Sequence, residues 1–169
     1  MKRLVHALFV INFLLSLQVF AQANSNSAKN LSQKDIFIQI SNELKPLLDL
    51  LKNKGFHIKY EIPPKRGAYG LFQSKEKIIW ISPISFELGI GSQTILHEAT
   101  HAAQSCPNGL LSPIGWTLPV NQSIKNEIKA NLLRNYDINQ YTIEKEAFYL
   151  QSQSNGIELL IEVIKKRCK

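Results

Sequence analysis

The chain lacks several features that mark specialised protein classes. Its 169 residues contain only two cysteines, and they include no internal repeat and no low-complexity run. These absences argue against repeat arrays and disulfide-dense scaffolds. The basic residues are spread along the chain without interleaved aromatic side chains, so the sequence does not predict a nucleic-acid-binding groove. The length allows one domain with one hydrophobic core.

The one long apolar run lies near the N-terminus. Lys2 and Arg3 precede an apolar stretch over residues 4–20, and the small-x-small sequence Ala21-Gln22-Ala23 follows it. This order is typical of a secretory signal peptide, here cleaved after Ala23. An uncleaved membrane anchor is the alternative, but the run has about 17 residues with polar interruptions, whereas a span needs about 20. We therefore expect a protein exported to the periplasm or secreted.

Export has consequences for domain organisation and charge. Residues 1–23 are expected to be a signal peptide, 24–32 a flexible polar leader, and 33–169 a single domain. Cleavage would remove two basic residues and no acidic ones, so the net charge would fall from +7 to +5. A charge of that size favours weak association with an anionic envelope surface.

Export also places the two cysteines where disulfides persist. A bridge between Cys106 and Cys168 would close a loop of about 60 residues and stabilise a small core by about 2–4 kcal/mol. The alternative is two unpaired thiols, because sequence spacing alone does not bring the sulfur atoms together.

The hydrophobic periodicity predicts an α+β domain. An N-terminal helix is expected over residues 32–52, and Phe56 to Ile62 alternates as a half-buried strand does. Further strands at 70–73 and 77–82 are expected to form a hairpin. Ser92 is the expected N-cap of a helix that ends before Pro107. Three more helices complete the prediction: 122–135, 139–154 and 157–168.

The helix after Ser92 carries the sequence His97-Glu98-Ala99-Thr100-His101. Residues four apart share one face of a helix, so both imidazoles can bind one tetrahedral zinc ion. Glu98 lies beside them, where a general base for a zinc-activated water is needed. A chance match to this pattern in a chain of this composition has a probability of roughly one in two hundred.

A zinc hydrolase needs a third protein ligand. The extended motif HExxHxxGxxH fails, since residue 104 is glutamine and residue 107 is proline, which argues against a metzincin. No histidine follows His101, and His57 reads as an ordinary strand residue. A carboxylate is left, and the candidates are the downstream acids: Glu127, Asp137, Glu144, Glu146, Glu158 and Glu162.

An HExxH helix followed, one helix later, by Glu144-Lys145-Glu146-Ala147 resembles the gluzincins, whose third zinc ligand is the first Glu of Glu-x-x-Ala. The resemblance implies a minimal zincin-like domain with Glu144 as the ligand and Ala147 as a small packing residue. Glu146 is the competing ligand. Phe148 departs from the pattern, because many relatives have Asp or Asn there, and this predicts weaker support for a histidine ligand.

The resemblance implies a secreted or periplasmic zinc metallopeptidase in which Glu98 is the general base. It also implies that the strand Lys77–Ser82 binds an extended peptide or protein substrate at its edge, with Trp80 as a subsite wall or a core residue. An oxyanion donor is expected among Tyr136, Tyr141 and Tyr149. The alternatives are a non-catalytic metal-binding envelope protein and a zinc amidase that cleaves a non-peptide or cell-wall amide.

Overall fold

The N-terminal helix of the domain follows from leucines that recur at steps of three and four residues. In the computed structural model, which describes residues 33–169 and their side chains from residue 42, helix α1 spans Gln33–Asn53. Its buried stripe consists of Leu44, Leu47, Leu48 and Leu51, which face the core at helical spacing. The predicted helix at 32–52 is thus confirmed. The predicted signal peptide and leader lie outside the described residues.

Three short strands form one mixed sheet. Strands β1 (His57–Lys59), β2 (Gly70–Gln73) and β3 (Ile78–Ile81) are arranged in the order β1-β3-β2. β3 runs parallel to β1 and antiparallel to β2, so the predicted hairpin is confirmed. The strand predicted to reach Ile62 ends at Lys59, where the pairing with β3 ends.

The two faces of β3 have different environments. Ile79 and Ile81 are fully buried, whereas Trp80 lies on the opposite face and is half-buried. The Nζ atom of Lys59 lies 4.4 Å from the Trp80 ring centroid, and the indole N–H donates to Gln73 Oε1 at 2.7 Å. Trp80 is therefore part of the outer sheet face, not of the core.

A short helix, α2 (Pro83–Glu87), precedes the helix that carries the HExxH sequence, α3 (Gly91–Gln104). The N-cap of α3 is Ile90, so the prediction of Ser92 as N-cap is wrong. A Cβ atom on Gly91 would lie 2.4 Å from the Phe86 ring, so glycine allows the first turn of α3 to pack directly on α2. This contact lets the helix begin before Ser92.

Three helices form the C-terminal half: α4 (Gln122–Asn135), α5 (Tyr141–Gln151) and α6 (Gly156–Arg167). The Asn121 side chain caps α4 by accepting the N–H of Ser123. The predicted bounds of α4 are confirmed, while α5 is shorter than predicted at both ends. α3 lies at the centre of the fold, between the sheet on one side and α5 and α6 on the other.

A disulfide joins the end of α3 to the end of α6. Cys106 and Cys168 are bonded, with Cα atoms 5.1 Å apart and a sequence separation of 62 residues, so the predicted bridge is confirmed. Residues 33–169 form one compact α+β unit with six helices and three strands among the described residues. In that part of the chain, no helix combines the length and apolar character needed to cross a membrane.

Candidate metal centre

Three predicted ligands meet where α3 faces α5. The Nε2 atoms of His97 and His101 lie 3.3 and 3.6 Å from Oε2 of Glu144. One donor atom from each residue lies within 4.8 Å of the other two, and the side chains are largely buried. This group could hold a metal ion.

The two distances from Glu144 to the histidine nitrogens are close to those expected between the ligands of one metal ion. Ligand atoms about 2.0–2.1 Å from a tetrahedral zinc ion stand about 3.3 Å from one another. Two imidazole nitrogens and one carboxylate oxygen are also a donor set that zinc hydrolases use, with a fourth position left for water or substrate. The donor set is therefore compatible with a bound metal ion.

Both histidines are oriented by glutamine side chains. Nδ1 of His97 donates to Oε1 of Gln151 at 2.8 Å, and Nδ1 of His101 donates to Oε1 of Gln104 at 2.7 Å. Because each glutamine oxygen holds a proton at Nδ1, Nε2 is the nitrogen of each ring that is left to bind a metal ion beside Glu144. Sequence reasoning missed Gln151, although its spacing of seven residues from Glu144 places both on one face of α5.

Phe148, which was predicted to weaken the support of a histidine ligand, lies directly against His97. Its ring packs edge-on against the His97 imidazole, with centroids 4.7 Å apart. The hydrogen bond that an Asp or Asn was expected to provide comes from Gln151, one turn farther along α5. His97 thus has a hydrogen-bond partner at Nδ1, although the partner is a neutral amide rather than a carboxylate.

Glu146, the competing ligand, forms hydrogen bonds with the loop that follows α3. Its buried carboxylate accepts the backbone N–H groups of Ile114, Gly115 and Trp116 at 2.7–3.3 Å. It also accepts Nε2 of Gln104 at 3.0 Å. The structure thus places Glu144, and not Glu146, beside the two histidines.

Glu98 is buried next to the cluster and faces strand β2. Burial raises the pKa of Glu98, while the positive charges of His97 and His101 and a hydrogen bond from the backbone N–H of Phe72 oppose that shift. A carboxyl group with a raised pKa is suited to accept and return a proton near neutral pH.

His101 and Glu144 each affect the pKa of the other. Burial disfavours the charged form of His101, but the hydrogen bond with Glu144 and the negative charges of Glu98 and Glu144 raise its pKa to about 9. Burial acts against the Glu144 carboxylate as well, yet its bonds with His101 and His97 lower its pKa to about 2. Without an ion, a protonated His101 is therefore paired with the Glu144 carboxylate near neutral pH, and a metal ion would have to displace that proton.

Of the three candidate tyrosines, Tyr136 lies at the site. It follows the last turn of α4, and its hydroxyl lies beside the Glu144 carboxylate. Burial, followed by the negative charges of Glu144 and Glu98, raises the pKa of Tyr136, so the phenol keeps its proton. Tyr149 interacts instead with Tyr141 and with Lys145, whose Nζ lies 5.3 Å from its ring centroid.

The comparisons with known proteins identify no relative. No protein-family model, curated protein or solved structure matches this chain.

Gly70 allows Glu98 to approach β2, which leads to a testable prediction. A Cβ atom at Gly70 would lie 2.6 Å from Oε1 of Glu98 and 2.7 Å from Cγ2 of Thr94. We expect Gly70→Ala to lower the free energy of unfolding by about 1–3 kcal/mol through overpacking. The same change displaces the Glu98 carboxylate, so any hydrolytic rate should fall by about 10- to 100-fold. Thermal unfolding and steady-state rates measure the two effects.

The double variant Gly70→Ala/Glu98→Ala is the matched control. Shortening Glu98 removes the clash with one of the two side chains, so part of the lost stability should return, while any hydrolysis that Gly70→Ala retains should be lost. A Gly70→Ala protein as stable and as active as the wild type would contradict the role assigned to this glycine.

Proposed function

We propose that the protein is a zinc metallopeptidase of the gluzincin type, with His97, His101 and Glu144 as the metal ligands. The observation that carries the proposal is the convergence of these three donors beside the buried Glu98 carboxylate. Export is part of the proposal, because the disulfide between Cys106 and Cys168 is compatible with an oxidising compartment.

In this proposal the reaction divides between the bound ion and the protein's own side chains. Zinc supplies Lewis acidity, which makes water more acidic and polarises the carbonyl of the scissile bond. Glu98 accepts a proton from the attacking water at its carboxylate and returns it to the leaving amine. Its bond from the Phe72 N–H holds the carboxylate in place between β2 and the ligands.

Tyr136 is the proposed oxyanion donor. Tyr136 follows the end of α4, and its phenol lies beside Glu144, whereas Glu98 belongs to α3. Because its raised pKa keeps the hydroxyl protonated, Tyr136 can donate a hydrogen bond to negative charge that develops on the substrate oxygen. Tyr149 interacts with Tyr141 and Lys145 instead.

The edge of β2 is the proposed substrate-binding strand. β3 is paired on both sides, so the expectation that Lys77–Ser82 offers a free edge is wrong. Just before β2, the Tyr69 carbonyl accepts the N–H of Ser82, whereas within β2 the N–H of Phe72 points away from β3 to Glu98. Backbone groups of alternate residues thus face the outer edge.

That orientation favours an extended peptide as substrate. A chain paired with β2 would lie along the edge that also presents Glu98, so its backbone could form strand-like hydrogen bonds next to the ligand group. A peptide substrate therefore accounts for the orientation of β2 better than a small non-peptide amide does.

Metal removal and reconstitution test the proposal. We expect the purified protein to bind one zinc ion per chain and to hydrolyse a mixture of unstructured peptides. A chelator should abolish hydrolysis, and added zinc should restore it. His97→Ala should lose zinc binding, whereas the control His57→Ala, which alters an exposed histidine on β1, should retain it. Equal zinc uptake by the wild type and His97→Ala would contradict the assigned site.

A further inference from the structure

The loop that follows Cys106 presents two adjacent leucines to solvent. Leu110 is 70% exposed and Leu111 is 46% exposed. The backbone around them is tied to α3, since the N–H of Gly109 donates to Ser105 O at 2.7 Å and the N–H of Ser112 donates to Gln104 O at 2.9 Å. These leucines are thus exposed in a loop whose backbone is fixed by hydrogen bonds to α3.

Arg167 fastens this loop to the end of α6. Its guanidinium donates to the carbonyls of Ala103, Cys106 and Pro113 at 3.1–3.2 Å, and to the Ser112 hydroxyl at 2.8 Å. The neighbouring disulfide adds a covalent tie at Cys168. The two leucines are therefore held close to the C-terminal turn of α6.

That turn is strongly basic. Lys165, Lys166 and Lys169 are all exposed, and they flank the tied residues Arg167 and Cys168. The acidic residues of α6, Glu158 and Glu162, lie one turn or more toward its start, so positive charge is concentrated at the end beside the loop. Exposed apolar side chains beside exposed cations are typical of surfaces that meet anionic lipid headgroups.

A groove continues the apolar surface inward. It has a volume of about 360 Å³ and lies between the loop and α6, and its lining includes Ile114, Trp116 and Val163 together with the charged residues Glu162 and Lys166. Tryptophan side chains favour the boundary between headgroups and hydrocarbon. A partly apolar groove and the exposed lysines of α6 thus occur together at this end of the fold.

We propose that the surface formed by Leu110, Leu111, Lys165, Lys166 and Lys169, here called the loop–α6 surface, docks on an anionic phospholipid bilayer. Charge complementarity selects the headgroups, and the two leucines give the contact its apolar part. A soluble polyanion would need the lysines alone, so the leucines favour a lipid surface. The proposal is independent of the proposed peptidase activity.

Vesicle binding tests the proposal on residues 24–169, which retain the compact unit Gln33–Lys169. Residues 1–23 are omitted because their apolar run would itself bind bilayers. We expect co-sedimentation with phosphatidylcholine vesicles that contain phosphatidylglycerol, weakened by salt, and none with phosphatidylcholine alone. Neutralising Lys165 or Lys166 to alanine should weaken binding about fivefold each. Leu110→Ser/Leu111→Ser should weaken it about tenfold.

Matched controls come from α4. Leu133→Ser changes a leucine that is 67% exposed, and Lys125→Ala/Lys129→Ala removes two exposed lysines, so these variants should bind vesicles as the wild type does. Wild-type binding by the leucine variant, together with equal lysine dependence on soluble polyphosphate, would overturn the proposal in favour of a polyanion. Equal losses in the α4 controls, or equal binding to neutral vesicles, would overturn it as well.

Discussion

Glu98→Gln is expected to lower the rate of peptide hydrolysis by about three orders of magnitude while leaving zinc affinity nearly unchanged. A positioned general base contributes about 10²- to 10⁴-fold to such reactions. Glutamine keeps the shape of Glu98 and one oxygen that can accept the Phe72 N–H, but it cannot take up a proton. The expected result is a folded, metal-loaded and inactive protein.

The measurement combines steady-state hydrolysis with zinc titration of the same sample. Glu87→Gln, at an exposed glutamate on α2, is the control for loss of one carboxylate and should behave as the wild type. If zinc binds but hydrolysis is absent from the wild type and from Glu98→Gln alike, the site is a non-catalytic metal site. Retention of full activity by Glu98→Gln would contradict the assignment of Glu98 as the base.

The parts of the site that the sequence predicts correctly are those governed by local periodicity. His97 and His101 share a face of α3 because helical geometry alone places residues four apart together. The hairpin of β2 and β3 follows from alternation and a short connection, and α4 follows from its helical periodicity. These features depend on neighbours in the chain, so a single sequence carries the signal.

The features that sequence reasoning missed depend on contacts between distant segments. Gln151 reaches His97 across 54 residues, and Glu146 reaches the loop at Ile114 across 32. Gly70 approaches Glu98 because β2 packs on α3, and no local sequence pattern predicts that contact. The order of the strands is likewise a tertiary outcome, which is why β3 was expected at an edge and lies in the centre.

The two glutamates that the sequence left as rival ligands should now separate by experiment. Glu144→Gln is expected to weaken zinc binding about a hundredfold or more, because a structural zinc site gains about 10–16 kcal/mol from all its ligands together. Glu146→Gln leaves the three donors in place and disturbs only the orientation of Gln104, so the loss of zinc affinity should stay within about tenfold.

The reverse contrast is expected in the loop that contains Trp116. Glu146 accepts three backbone N–H groups there, and glutamine would set its NH₂ group against some of these donors. We expect Glu146→Gln to lower the free energy of unfolding by about 2–4 kcal/mol. In a Trp80→Phe background, which leaves Trp116 as the one tryptophan, its emission should shift to longer wavelength in Glu146→Gln and not in Glu144→Gln.

Taken together, the two readouts assign the carboxylates without reference to catalysis. Zinc affinity follows the residue whose oxygen lies 3.3 and 3.6 Å from the histidine nitrogens, and tryptophan emission follows the residue that binds the loop. If Glu146→Gln lost zinc as completely as Glu144→Gln while the Trp116 emission stayed unchanged, Glu146 would be the ligand. The helix α5 would then have to be rotated relative to α3, because the side chains of residues two apart point to different faces of a helix.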